Sequence, residues 1–145
     1  MIITDFIVCE DVRFEVTGQQ SLIGVYHENI QFTVTSSNRG VWPKHLSLAV
    51  FTRLLFEQKD TEKNICKIEL FVGLKGDLIS VGKPADIDKT KLDDHGRIVM
   101  TAVLKNFPLK GPGNFLICLK AYNEDDELVA EVSSPCSVEI KEVVR

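Results

Sequence analysis

Apolar and polar residues alternate with a period of two along most of the chain. In residues 64–74 the even positions Cys66, Ile68, Leu70, Val72 and Leu74 are all apolar, and Lys67 and Glu69 lie between them. A period of two puts apolar side chains on one face of a strand and polar ones on the other. The pattern therefore predicts a half-buried β-strand with one face on a core.

The same alternation recurs in several other runs. Residues 96–107, 114–123 and 137–144 predict strands whose core-facing residues are Ile98, Met100, Ala102, Leu104, Phe115, Ile117, Leu119, Ala121, Val138 and Ile140. Residues 45–58 alternate through Leu46, Leu48, Val50, Leu54 and Phe56. A helical stripe also fits that run, but its Val-Phe-Thr centre and the preceding proline favour a strand.

The residues between these runs are typical of turns. Residues 93–97, 111–114 and 123–127 are rich in Gly, Asp, Asn and Pro. About eight short strands and no long helix predict an all-β protein, an antiparallel β-sandwich. Its 145 residues fit one domain covering 1–145, large enough for an ordinary core. Residues 35–45 and 81–96 are predicted loops, the second with room for a helical turn.

A glycine interrupts the second apolar run. The runs "FIVCEDVRFEV" and "SLIGVYHENIQFTV" flank the polar "TGQQ", and Gly24 lies inside the second of them. A glycine within a strand marks a bulge or a close approach to the backbone. Tyr26, His27 and Glu28 are then expected at a bend, with Asn29 tolerating an unusual backbone angle.

The composition argues against several classes of function. There are 17 basic and 21 acidic side chains, a net charge of −4, and the basic residues are scattered. Nucleic-acid binding depends on clustered Lys and Arg, so we expect no such partner. No run approaches the roughly 18 apolar residues of a membrane span, and the N-terminal segment does not resemble a signal peptide. The widely spaced Cys9, Cys66, Cys118 and Cys136 are predicted to be reduced and buried in a cytoplasmic protein.

Two stretches carry a resemblance to a family of small bacterial proteins of unknown function. The family pattern is F-x-x-C-[DE]-x-V-R followed by S-L-I-G-V-Y, matched here by Phe6, Cys9, Glu10, Val12, Arg13 and residues 21–26. Residues 111–140 are similar to the end of such domains, with Phe115 where Tyr is commoner. The resemblance implies an immunoglobulin-like sandwich, and it implies no activity, substrate or catalytic residue.

Residues with metal-binding or catalytic chemistry are dispersed. His27, His45 and His95 lack the short spacings of zinc ligands, so surface or turn roles are favoured for them. The alternative is calcium held by the oxygen ligands Asp86, Asp88, Asp93 and Asp94. Their loop lacks the EF-hand spacing, and a calcium site would need the acidic residues 124–127 nearby.

Two further side chains suggest structural roles. Arg13, among Glu10, Asp11 and Glu15, is expected either in an exposed ion pair or in a buried bidentate pair that joins the first strands to the sandwich. Trp42, the only tryptophan, is expected as a lid over an open end of the sandwich, with a partner-binding anchor as the alternative.

No organised catalytic set is visible in the sequence. We therefore expect a non-enzymatic binding or interaction module without a cofactor, whose partner is another protein or a second copy, since sheet edges accept added strands. The predicted interaction surface comprises Tyr26, His27, Glu28 and Trp42. The rival hypothesis is a ligand-binding module that takes calcium or an anionic group through its acidic loops. A third and weaker one is a hydrolase that uses His27 with Glu28.

Overall fold

Alternating residues form strands along nearly the whole chain. The computed structural model describes all 145 residues and contains eleven strands, one α-helix and two 3-10 turns. The strands are β1 (Ile2–Phe14), β2 (Gln20–Tyr26), β3 (Asn29–Val34), β4 (Lys44–Leu55), β5 (Lys67–Leu74), β6 (Asp77–Ser80), β7 (Ala85–Asp86), β8 (Arg97–Leu109), β9 (Gly113–Tyr122), β10 (Leu128–Ser133) and β11 (Val138–Val144). The helix α1 spans Gln58–Glu62, and the 3-10 turns span Ser36–Asn38 and Lys89–Lys91.

The strands form two sheets that pack as a sandwich. One sheet has the order β2-β1-β4-β8, and the other has the order β3-β11-β9-β5-β6, with β10 beside β9 and β7 beside β5. The predicted all-β sandwich is confirmed. The prediction of purely antiparallel pairing is wrong at one place, because β3 and β11 run parallel, with Asn29 opposite Glu139. The chain changes sheets at His27 and Glu28 and enters the second sheet beside the C-terminal strand.

The structure has more strands than the alternation predicted. The run over residues 21–34 divides into β2 and β3, which belong to different sheets. The short strands β6 and β7 pair with β5 at the edge of the second sheet. With four and two residues, they are too brief to show a period. The strand over residues 45–58 is confirmed as β4, against the helical alternative.

The main core lies between the sheets and is centred on β9. Phe115, Ile117, Leu119 and Ala121 are 0% exposed, as their spacing predicted. Phe115 meets Phe107 edge to face, with ring centroids 6.0 Å apart. From the other sheet, β4 supplies its own buried row to the same cluster. Full burial of each large apolar side chain stabilises the fold by roughly 1.5–3 kcal/mol.

The half of the β1–β2 hairpin that is nearer its turn folds over the outer face of its own sheet. Cys9 and Ala49 are 0% exposed and form a small second core with Val12 and Leu22. Thr101 Oγ1 on β8 donates a hydrogen bond to Gln20 Oε1 on β2 at 2.7 Å, although β1 and β4 separate these strands in the sheet. Neighbouring strands are about 4.8 Å apart, so this bond requires the hairpin to curl back over the sheet.

The short helix α1 is the element that alternation did not predict. Its N-cap residue Glu57 donates its backbone N–H to Asp60 Oδ2 at 2.7 Å, half of a capping box. The same oxygen accepts a hydrogen bond from the Met1 amine at 2.5 Å, and Asp60 is only 3% exposed. Burial raises the pKa of Asp60, but the Met1 ammonium and the Glu57 N–H outweigh it and hold the pKa below its ordinary value. No helix is both long and apolar enough to cross a bilayer.

Candidate functional site

The predicted bend at Tyr26, His27 and Glu28 is the point where the chain changes sheets. His27 and Glu28 are exposed, and the Glu28 carbonyl accepts the Glu139 N–H at 2.9 Å. Tyr26 is half-buried against the main core, where burial, followed by the charge of Glu10, raises the pKa of its hydroxyl. These contacts give the bend a structural role in joining β2 to β3.

Gly24 shows which of its two predicted roles applies. The pairing of β1 with β2 keeps one register from Val8–Tyr26 to Phe14–Gln20, so there is no bulge. Gly24 instead adopts φ +66°, and the Glu10 side chain lies over it. A close approach therefore explains this glycine, and the approaching group is a side chain rather than backbone.

Trp42 is packed into the fold, and its role as a lid over an end of the sandwich stays a prediction. It is half-buried, contacts the main core and meets Phe32 edge to face at 6.0 Å. Lys44 Nζ lies 4.8 Å from the centre of its ring and 3.0 Å from Glu142 Oε1. Lys44 therefore covers one face of the indole ring. The Trp42 contact is separate from the predicted bend, because Phe32 is four residues beyond Glu28 along an extended strand, about 13 Å at ~3.3 Å per residue.

Neither role predicted for Arg13 is correct. Its side chain is exposed, and no carboxylate lies within 4.0 Å of it. Every ion pair of the protein involves a different cation. The neighbouring acids have other partners: Glu15 accepts from Ser21 Oγ at 3.0 Å, and Asp11 accepts from the Val12 N–H at 2.9 Å. Glu10 lies over Gly24.

The acidic loop residues are occupied within their own turns. Asp88 accepts two hydrogen bonds from Thr90, and Asp93 accepts the N–H groups of His95 and Arg97. These bonds lower the pKa of both carboxyls. Asp86 and Asp94 are exposed, and no group of three or more His, Cys, Asp or Glu side chains is placed to hold a metal ion. His45 and His95 are also exposed.

The acidic hairpin tip does approach the Asp86 segment, with a cation between them. Lys67 Nζ lies 2.7 Å from Asp126 Oδ1, and Lys67 pairs with Asp86 across β5 and β7. The hydrogen bond to Asp126 is the main cause of a raised pKa for Lys67. The Lys67 ammonium group neutralises the negative charge of the carboxylates that a calcium ion would need as ligands. The arrangement therefore does not favour the calcium alternative.

The cysteines are free, but the prediction that all of them are buried is wrong for two. Cys9 and Cys118 are buried, Cys66 is half-buried and Cys136 is exposed. Cys136 lies in the loop before β11, and its carbonyl accepts the Ser134 hydroxyl at 2.9 Å. Turn chemistry in "SSPCS" places this cysteine at the surface, whereas the other three lie in or beside core strands.

A groove runs along β8, where the two sheets are open to each other. β8 bonds only to β4 and β6 bonds only to β5, so each has a free edge. Their Cα atoms lie more than 8 Å apart along most of the groove. Bonded neighbours lie about 4.8 Å apart. The two edges therefore leave their backbone groups open to a third strand.

The groove is mainly apolar. It consists of two cavities of about 340 and 350 Å³ that share Val81 and Val103 and so form one channel. Leu70, Met100 and Ala102 line its inner side. Val81 is 36% exposed and Val103 is 49% exposed, which leaves apolar surface facing solvent at the rim. Exposed apolar surface of this kind is common at interaction sites.

The charged residues of the groove all have one sign. Lys83 follows β6, and Lys105 lies in β8, and both are exposed. No Asp or Glu lines either cavity. Neither lysine is among the cations that form ion pairs. Both charged residues that line the groove are therefore cationic, on a protein whose net charge is −4.

One end of the β8 edge is protected against pairing, and the other end is not. The register of β4 and β8 shifts at Asn106, which has φ +53° and donates its N–H to Ser47 Oγ at 3.0 Å. A bulge and a proline, here Pro108, are devices that discourage strand addition. Residues 97–104 carry no bulge or proline. This half of the edge is the open one.

The groove was not predicted from the sequence. Its residues come from β5, β6, the following loop, β7 and β8, and only the topology of the sheets brings them together. The available signal was Val103, an apolar residue at a predicted solvent-facing position of β8, which is 49% exposed. No family model, curated protein or solved structure was found to match this chain.

Proposed function

We propose that this protein is a non-enzymatic binding module that takes an extended segment of a partner protein along the free edge of β8. The observation that carries the proposal is the apolar groove between two sheet edges, each with an unpaired row of backbone groups. Sheet edges of this kind bind peptides by strand addition, in which main-chain hydrogen bonds supply affinity.

The groove suits the alternation of an extended segment. Every second side chain of an added strand would point between the sheets, toward Leu70, Met100 and Ala102, and the others would face solvent. Each new main-chain hydrogen bond stabilises the complex by about 0.5–1.5 kcal/mol net. The inward apolar row adds to this by burying the rim residues Val81 and Val103.

The proposal moves the interaction surface away from the residues that the sequence favoured. Tyr26 and Trp42 pack against the core, and Lys44 covers one face of the indole ring. His27 and Glu28 are exposed, but neither lines the groove between the two free sheet edges. The groove therefore has better support as the site where a partner binds.

Two variants of similar design test the site. The probe is a phage-displayed library of ten-residue linear peptides, and selected peptides are titrated against the wild type, Val81→Arg and Val41→Arg. Val41 is 59% exposed and lies beside Trp42, outside the groove. We expect Val81→Arg to weaken binding at least tenfold and Val41→Arg to leave it unchanged. The reverse pattern would place binding at the Trp42 surface, and failure to select any peptide would contradict the proposal.

A cytoplasmic location is part of the same proposal. Its support is the absence of disulfides among four cysteines, which suits a reducing compartment. The bacterial family and the immunoglobulin-like topology rest on the sequence motifs and stay predictions. Fractionation of the source cells, with antibody detection of the protein, tests the location.

A further inference from the structure

We infer that the segment bound along β8 is acidic, with apolar residues alternating with Asp or Glu. The inference rests on the proposed function and specifies the partner's chemistry. The partner is thus a polypeptide with a negatively charged extended stretch, rather than any chain able to form a strand.

Charge complementarity is the first reason. Lys83 and Lys105 are the only charged residues that line the groove, and neither has a carboxylate partner within the protein. They come from opposite walls, one after β6 and one in β8. An added strand between the walls would bring its own side chains close to both ammonium groups. Carboxylates at those positions would gain two ion pairs, whereas Lys or Arg would meet like charges.

The period of a strand assigns the two kinds of side chain to different sides. The inner side of the groove, at Leu70, Met100 and Ala102, accepts the apolar row. The lysines are exposed, so they are accessible to the outward row. One face of the segment is therefore expected to be apolar and the other acidic, with a period of two.

The charges also argue against pairing between the β8 edges of two copies. β8 contains Arg97 and Lys105 and no Asp or Glu, so a second β8 would bring no carboxylate to the lysines of the groove. An acidic segment of a different protein supplies those carboxylates.

Three synthetic peptides test the inference. They are acetylated, amidated ten-residue peptides of alternating Val with Glu, Ser or Lys, and their affinities are measured by calorimetry at low and moderate salt. We expect the Val–Glu peptide to bind about three- to tenfold more tightly than Val–Ser, from two exposed ion pairs. Val–Lys should bind more weakly than Val–Ser, and added salt should reduce the differences between the peptides.

Charge reversal identifies the groove as the source of the preference. In Lys83→Glu/Lys105→Glu the order should reverse, so that Val–Lys binds best. The control Lys75→Glu/Lys91→Glu makes the same change in net charge at exposed lysines outside the groove and should keep the Val–Glu preference. A control that also reverses the order would overturn the inference, because net charge would then explain the preference.

The outcomes separate this inference from the proposed function. Hydrogen exchange of residues 97–104 reports whether a peptide occupies the β8 edge. If Val–Ser and Val–Glu protect these amides and bind equally tightly, the acidic preference is wrong and strand addition stands. If no peptide protects them, strand addition itself is wrong. If Val–Glu protects them and binds more tightly, both are supported.

Discussion

The carboxylate side chain of Glu10 lies directly over Gly24. A Cβ added to Gly24 would be 2.6 Å from Glu10 Cδ and 2.7 Å from Glu10 Cγ, closer than side chains approach each other. Gly24 also has φ +66°, a backbone conformation that only glycine adopts without strain. Glycine is therefore required here for two separable reasons.

The first prediction separates these reasons. Gly24→Ala should destabilise the protein by about 1–2 kcal/mol from the positive φ, with a further cost until Glu10 rotates away. Gly18→Ala is the matched control, because Gly18 has φ +85° and a Cβ added there would have no neighbouring atom within 4 Å. Urea unfolding measures both.

The double variant Glu10→Ala/Gly24→Ala completes the comparison. Because the smaller side chain removes the overlap, we expect Gly24→Ala to cost no more in the Glu10→Ala background than Gly18→Ala costs in the wild type. If Gly24→Ala costs the same with and without the Glu10 side chain, the overlap has no energetic effect.

The second prediction concerns the aromatic pair in the core. Phe115→Ala removes a ring that is 0% exposed and contacts Phe107, so we expect a loss of about 3–5 kcal/mol in the free energy of unfolding. Val16→Ala, at a fully exposed position, is the control and should change stability by less than about 0.5 kcal/mol. Similar losses for both variants would be inconsistent with the core described.

The third prediction is a pH dependence at Glu142. The Gly40 N–H, at 2.9 Å, and the Lys44 ammonium lower the pKa of this carboxyl from its ordinary value of 4.5. A group whose pKa is lower in the folded state stabilises the fold above its unfolded pKa, and the contribution is lost as the pH falls through the folded pKa. The wild type should therefore be more stable than Glu142→Gln at pH 7, and this advantage should decline below that ordinary pKa of 4.5.

Thermal unfolding between neutral pH and about pH 3 measures this difference, since the loss is expected below the ordinary carboxyl pKa. Lys44→Met is the companion variant, because it removes the ammonium but leaves the Gly40 hydrogen bond, and it should retain part of the pH dependence. An advantage over Glu142→Gln that stays constant across this range would contradict the role given to the carboxylate.

The fourth prediction concerns thiol reactivity. Burial raises the pKa of the Cys9 and Cys118 thiols and keeps reagents away, whereas Cys136 is exposed. We expect a disulfide reagent such as DTNB to modify Cys136 first, half-buried Cys66 more slowly, and the two buried thiols only after denaturation. Cys136→Ser should remove the fast phase. A fast phase that persists in that variant would place another thiol at the surface.

The strands were predictable from the sequence because their burial is one-sided. In β9 Phe115, Ile117 and Leu119 are 0% exposed, and Leu116 and Lys120 on the other face are only half-buried, so the period of two is visible although Cys118 is also buried. The bend between β2 and β3 was predicted, but the change of sheet at that bend was not, because both strands continue one apolar pattern and only tertiary pairing assigns them to different sheets. The groove was not predicted either, because Val81 and Val103 are distant in the sequence and only the fold brings them together.

Arg13 shows a second limit of sequence reasoning. Three carboxylates surround it in the sequence, but Asp11 and Glu15 accept hydrogen bonds from other residues and Glu10 lies over Gly24. Closeness along the chain does not determine which charges pair once a hairpin places new donors beside them.

The parallel pairing of β3 with β11 has a consequence for folding. The strand of Ile30 has no neighbour in its sheet until Ile140 and the rest of β11 are present. On a ribosome, β4 to β10 would all be synthesised while β3 stays unpaired. Because such distant partners close large loops, we expect slow folding, completed only after β11 has emerged.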